Sequence, residues 1–145
     1  MPIALQDLGR AVKQLQYRHH RGMDSKLREV GTSLAQWDAL RAIASRPNSS
    51  AHALAELTFQ TDQSFGALAN RLVKRGMIER VAGPGRAIRH RLTARGEATL
   101  RKGHEVVGKV LESSFAPLTS RQRDDFYRLI GRALVEGDPP QRLGL

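Results

Sequence analysis

The chain has no cysteine, which removes disulfides, thiol redox chemistry and cysteine-ligated zinc. Aromatic residues make up only 5% of its 145 positions, too few for a platform on which successive single-stranded bases could stack. No apolar run approaches the length of a transmembrane helix, and the N-terminal residues lack the apolar stretch of a signal peptide. A cytoplasmic protein with no membrane partner is therefore expected. Its five histidines, His19, His20, His52, His90 and His104, do not fall at metal-ligand spacing, so no metal or other cofactor is expected. Nor is there a nucleophile–base constellation, a pair of carboxylates at useful spacing, or a glycine loop opening a helix. Gly83-Pro84-Gly85 stands between two strand-like runs, which makes it a turn. An enzyme is not expected. Acids are scarce as well: 14 Asp and Glu against 24 Lys and Arg give a net charge of +10, which points to a polyanionic partner.

The apolar fraction of 40% suffices for one domain with a modest core. Residues 3–30 read as a long helix stopped at Gly31, with Leu5, Leu8, Val12, Leu15 and His19 in a narrow seam that calls for packing against other helices. Ser33 and Gln36 form a capping-box pattern before a helix carrying Leu34, Trp37, Leu40, Ile43 and Ala44. Ser50 caps a short helix over about 51–57. Thr61 caps the next, with Phe65, Leu68, Ala69 and Leu72 inward and Gln63, Ser64, Ala67, Asn70, Arg71 and Lys74 outward. Two short helices joined by a tight turn, the second polar and basic outside, make a helix-turn-helix.

Residues 77–81 and 87–92 read as a hairpin. In its return strand Ile88, His90 and Leu92 should pack while Arg89 and Arg91 form a cationic face. Thr93 caps a long helix to about 115, with Leu100, His104, Val107 and Leu111 on one side. Thr119 and Gln122 then open a last helix carrying Phe126, Leu129, Ile130, Ala133 and Leu134. Across 71–101 nine Lys and Arg meet two acids, Glu79 and Glu97. A helix followed by a basic hairpin suits duplex DNA, with one element for the major groove and one arm for the backbone or minor groove. Gln63, Ser64 and Asn70 can bond base edges, and Ala67 lets the helix sit close. Arg71, Lys74, Arg89 and Arg91 suit phosphates, and Arg86 at the hairpin tip suits the minor groove.

Residues 33–43 (SLAQWDALRAI), the Leu54-Ala55 pair, residues 70–80 (NRLVKRGMIER) and residues 86–96 (RAIRHRLTARG) together resemble the MarR family of winged helix-turn-helix regulators over nearly the whole chain. The resemblance implies a mainly α, winged-helix (α+β) fold. Residues 32–111 would form the DNA-binding domain. Residues 1–31 and 112–145 would form a helical dimerisation region, and helix 93–115 would link the two. It implies a homodimer sealed by Leu5, Leu8, Val12, Leu15, Phe126, Leu129, Ile130 and Leu134, reading a pseudo-palindromic operator as a repressor. It also implies a small aromatic or phenolic acid as effector, for which Tyr17, His20, Trp37, Arg41 and His104 are the candidate pocket. Family members usually carry Asp-x-Arg at the wing tip; here Pro84 stands in the acid's place before Arg86. The competing class is an architectural nucleic-acid binder with little sequence preference and no effector.

Overall fold

The computed structural model of the chain describes residues 1–85 and 87–134. Its elements run α1 (Leu5–Glu29), α2 (Leu34–Ser45), α3 (Ala51–Leu57), α4 (Asp62–Lys74), β1 (Ile78–Ala82), β2 (Ile88–Leu92), α5 (Ala94–Phe115) and α6 (Ser120–Ala133). The fold is mainly α with one two-stranded antiparallel sheet, in the register Ile78↔Leu92 to Ala82↔Ile88.

Hydroxyl caps set the helix starts. Ser33, Ser50, Thr61, Thr93 and Thr119 each accept an N–H from the third residue of the helix that follows, satisfying a donor that the helix itself leaves open. The box is reciprocal at Thr119–Gln122. At Ser33 it is only half a box, contrary to the sequence pattern: the Gln36 carbonyl accepts from Arg75 Nη1 at 2.6 Å instead. A guanidinium is a stronger donor than a neutral backbone N–H, and the fold brings one within reach.

The main core joins Leu40, Ile43, Leu54, Phe65, Leu68, Leu72, Met77 and Ile78 from α2, α3, α4 and the start of the hairpin. A second cluster joins Leu27, Trp37 and Val107, with Leu34, Leu100 and Leu111 packed on it, and ties α1 and α2 to α5. Three sequence expectations fail here. Ala44 is exposed, while Ala39 and Ala42 take the buried positions on α2. Leu34 belongs to the second cluster rather than the winged core. Ile88 is 54% exposed: it pairs with Ala82 at the loop end of the hairpin, where β2 has run past the helices. The inward residue of β2 is His90, 2% exposed. Its ring meets Phe65 edge-on at 6.2 Å and bonds the Ser49 carbonyl through Nδ1 at 3.3 Å. Backbone bonds from Asn48 N to His90 O and from His90 N to Ser49 O add a third short rung to the sheet. Burial pushes the His90 imidazole below its ordinary range, and the nearby Arg80 charge pushes the same way.

Two glycines mark close crossings. A Cβ on Gly96 would fall 2.0 Å from the Met77 carbonyl oxygen, so the start of α5 lies directly against the strand entry. Thr93 fixes that joint, donating its N–H to Met77 O and its hydroxyl to Gly76 O. A Cβ on Gly103 would strike the Trp37 ring at 2.2 Å. Trp37 therefore lies flat in the α2–α5 crossing and donates Nε1–H to Leu100 O at 3.2 Å.

The chain's ends are different. Leu5, Leu8, Val12, Leu129, Ile130 and Leu134 are exposed, and α6 buries no residue at all. Phe126 stands against Phe115, which in turn meets the His19 ring edge-on. Together α1, the end of α5 and α6 surround an apolar cleft of about 490 Å³, walled by Leu8, Val12, Leu15, Phe115, Phe126 and Ile130, with His19 and His20 among its lining.

Candidate nucleic-acid interface

Helix α4 turns Phe65, Leu68, Ala69 and Leu72 into the core, so the positions on its other side face outward. Gln63, Ser64, Ala67, Asn70, Arg71 and Lys74 are all exposed, as the spacing predicts. Gly76, at φ 70°, lets the chain leave α4 and enter β1 with Met77 and Ile78 buried beneath it. The hairpin therefore stands beside α4, its loop closed by Gly83 N–H to Ala87 O at 2.7 Å. Arg86, the expected wing-tip arginine, lies outside the described residues.

The basic residues do not form one uniform face. Arg91 sits opposite Glu79 in the strand register and bonds it through Nε at 2.9 Å. Such an exposed pair contributes only about 0.2–1 kcal/mol, but it lowers the net charge that Arg91 offers. Arg89 is half-buried, its stem against Gly83 at the hairpin loop. Arg80 donates Nη2–H to Asn70 Oδ1 at 2.7 Å, so the amide of Asn70 presents chiefly its own N–H donors outward. Arg75, beside Gly76, bonds Gln36 Oε1 and Gly31 O, both at 2.6 Å. It ties the end of α4 to the joint between α1 and α2. On the other side of that joint Asp24 accepts the Leu34 N–H at 2.9 Å. That bond, with a second from Arg28, holds its carboxyl below the usual aspartate range.

Sequence reading missed three of these arrangements. Arg80–Asn70 and Arg75–Gln36 join residues 10 and 39 positions apart, and no spacing rule reaches that far. The third is His52 on α3, set between Asp62 and Glu56. Its i,i+4 relation to Glu56 is visible in the sequence, but the contact with Asp62 across the helix-turn-helix turn is not.

The five effector candidates do not converge on one cavity. Trp37 is 2% exposed and consumed by packing, so it cannot wall a pocket. Arg41 lies over its ring at 5.6 Å and His104 stacks on it at 6.5 Å. Beside them Asp38 is half-buried; its loss of solvent pushes the carboxyl above the ordinary range while the Arg41 charge draws it back. Tyr17 is exposed, under the Arg21 guanidinium. Only His20 of the five is on the apolar cleft described above.

A trihelical core with α4 turned outward, a β-hairpin beside it and helices at both ends defines a winged helix-turn-helix fold. Residues 30–87 match the model of the MarR family. The transcriptional repressor Rv2887 of Mycobacterium tuberculosis is 28% identical over 110 residues, covering 74% of this chain and 79% of that protein. The structure of Rv2887 with salicylic acid superposes at a TM-score of 0.72, with 26% identity over 88% of this chain and 96% of that one. A probable transcriptional regulator from Pseudomonas aeruginosa gives 0.79, with 25% identity over 90% and 100%. A mutant MarR from E. coli complexed with operator DNA shares the fold at 0.83, with 21% identity over 89% and 94%. The chain is thus similar to MarR-family transcriptional regulators, over residues 30–87 in sequence and over most of its length in fold. Among its described residues no helix is long and apolar enough to cross a membrane.

Proposed function

We propose that the chain acts as a homodimeric repressor that binds a pseudo-palindromic duplex operator and is released by a small aromatic acid. One observation carries the DNA-binding reading. The polar outer positions of α4 stand exposed next to the hairpin, while Phe65, Leu68, Ala69 and Leu72 of the same helix are spent on the core. Gln63, Ser64 and Asn70 are the base-contacting residues in this reading, with Ala67 allowing close approach. Arg71, Lys74, Arg89 and Arg91 contact the backbone, and Arg86 enters the minor groove. Residues 32–111 form the reading domain. Residues 1–31 and 112–145 form the dimerisation region, and the link between the two is the helix at 93–115.

The dimer is supported by the exposed apolar residues of α1 and α6, whose burial against a second copy would complete their packing. The effector is supported by the Rv2887–salicylic acid complex.

Fluorescence anisotropy against a selected duplex and a scrambled one tests the reading. Preferential binding that salicylate reverses is expected. Equal affinity for both duplexes, with only the salt slope of phosphate contacts, would leave an architectural binder.

A further inference from the structure

His52 Nδ1 lies 2.9 and 3.1 Å from the two carboxylate oxygens of Asp62, and His52 Nε2 lies 3.1 Å from Glu56 Oε1. Ionised carboxylates only accept hydrogen bonds, and a neutral imidazole has a single N–H. Both contacts can be made together only by an imidazolium. The two carboxylates come from different places: Glu56 is on α3 with His52, whereas Asp62 is the first residue of α4 and immediately precedes Gln63.

We propose that His52 is a positioning residue for the recognition helix: as an imidazolium it clamps the first turn of α4 to α3 and offsets two carboxylates at the edge of the DNA-contacting face. The proposal rests on the DNA-binding reading above.

The surroundings make the charge count simple. With His52 protonated the three side chains carry a net charge of −1, and without the proton −2. Arg80 and His90 reach the same groove from β1 and β2. Arg80 is committed to Asn70, and burial keeps His90 neutral. The bond to Asp62, then the Asp62 and Glu56 charges, hold the His52 imidazolium above its ordinary range. Losing the proton as pH rises breaks one of the two contacts and adds a negative charge where phosphates must approach. DNA affinity is therefore greatest below that raised pKa and falls as pH passes through it. Charging of His90 falls at lower pH, because its own pKa is shifted the other way, so the two limbs separate.

The test is anisotropy with the selected duplex at constant ionic strength, from about pH 6 to about pH 9. The wild type should lose about fivefold in affinity over that range, the scale of one exposed ion pair. His52→Gln should be flat, at the level of the wild type's alkaline end. Asp62→Asn combined with Glu56→Gln should bind at the higher level, and its pH dependence should move to lower pH together with the titration of the His52 ring, followed by NMR. A flat wild-type profile, or His52→Gln with the wild-type slope, overturns the proposal. So does a pH dependence of binding that keeps the wild-type midpoint after loss of both carboxylates, since their pairing with the imidazolium would then not set it. If the wild type prefers no duplex over the scrambled one at any pH, the DNA-binding reading fails instead.

Discussion

Around Phe65, leucines and isoleucines from α2, α3, α4 and β1 are sealed from solvent. Along the first half of α1 and the outer side of α6, residues of the same character lie open, Leu129 at 61% exposure. Helix α1 spans both conditions: its Leu27 is wholly buried in the second cluster, and its Leu5, Leu8 and Val12 are not. The same apolar periodicity thus has two different outcomes. Among the described residues there is enough facing surface to finish the winged core, and not enough to finish the ends. In the homodimer proposed above, the reading head is a property of the monomer, whereas the arrangement of two heads comes from the second copy.

The contrast can be broken in graded ways. Phe65→Ala should cost the most, about 3–5 kcal/mol of folding stability. The loss should appear in urea melts irrespective of protein concentration, because no part of that cavity touches the open face. Ile130→Glu should leave most of the fold in place and shift the dimer toward monomer. Sedimentation should show lighter species, and the concentration dependence of melting expected for the wild type should vanish; a variant that still sediments as a dimer would contradict the division between head and ends. Arg86→Ala acts only at the head. It should weaken binding to the selected duplex by about 1–3 kcal/mol with dimerisation untouched, and unchanged affinity would remove the minor-groove role.

The smallest effect expected is one of pH on the head. His90 has a folded-state pKa below its unfolded value, so the stability it contributes is complete above about pH 6.5 and is lost as pH falls through the lowered value. Denaturation midpoints should decline on acidification, and His90→Phe should flatten that decline. Wild-type midpoints that hold steady through this window would show that His90 is charged without penalty.

Much of this could be read from the sequence, and the boundary between legible and illegible is physical. Hydroxyl caps at Ser50, Thr61, Thr93 and Thr119 act within three residues, so they placed the helix starts. The alternation of Phe65, Leu68, Ala69 and Leu72 correctly separated the inner from the outer side of α4. Ile88 was misjudged because alternation says which residues share a side of a strand but not where the strand outruns its support; His90, two residues on, still lies over Phe65. Trp37 was weighed as a pocket wall, and only the close approach of Gly103 shows that its ring is spent on a helix crossing. The bonds Arg75–Gln36, Arg80–Asn70 and His52–Asp62 depend on how helices and strands meet, which no local pattern encodes.

Arg75 has a wider consequence. Its guanidinium joins the last turn of α4 to Gln36 and to the carbonyl of Gly31, where α1 ends. The helix that would enter the groove is thus geared to the helix that would meet the other copy, with little slack between them. A protein built this way should be strict about the separation of its two half-sites, not only about their letters. A change at Gln36, which touches no base, would then be read out as a relaxed tolerance for operators one base pair too long or too short.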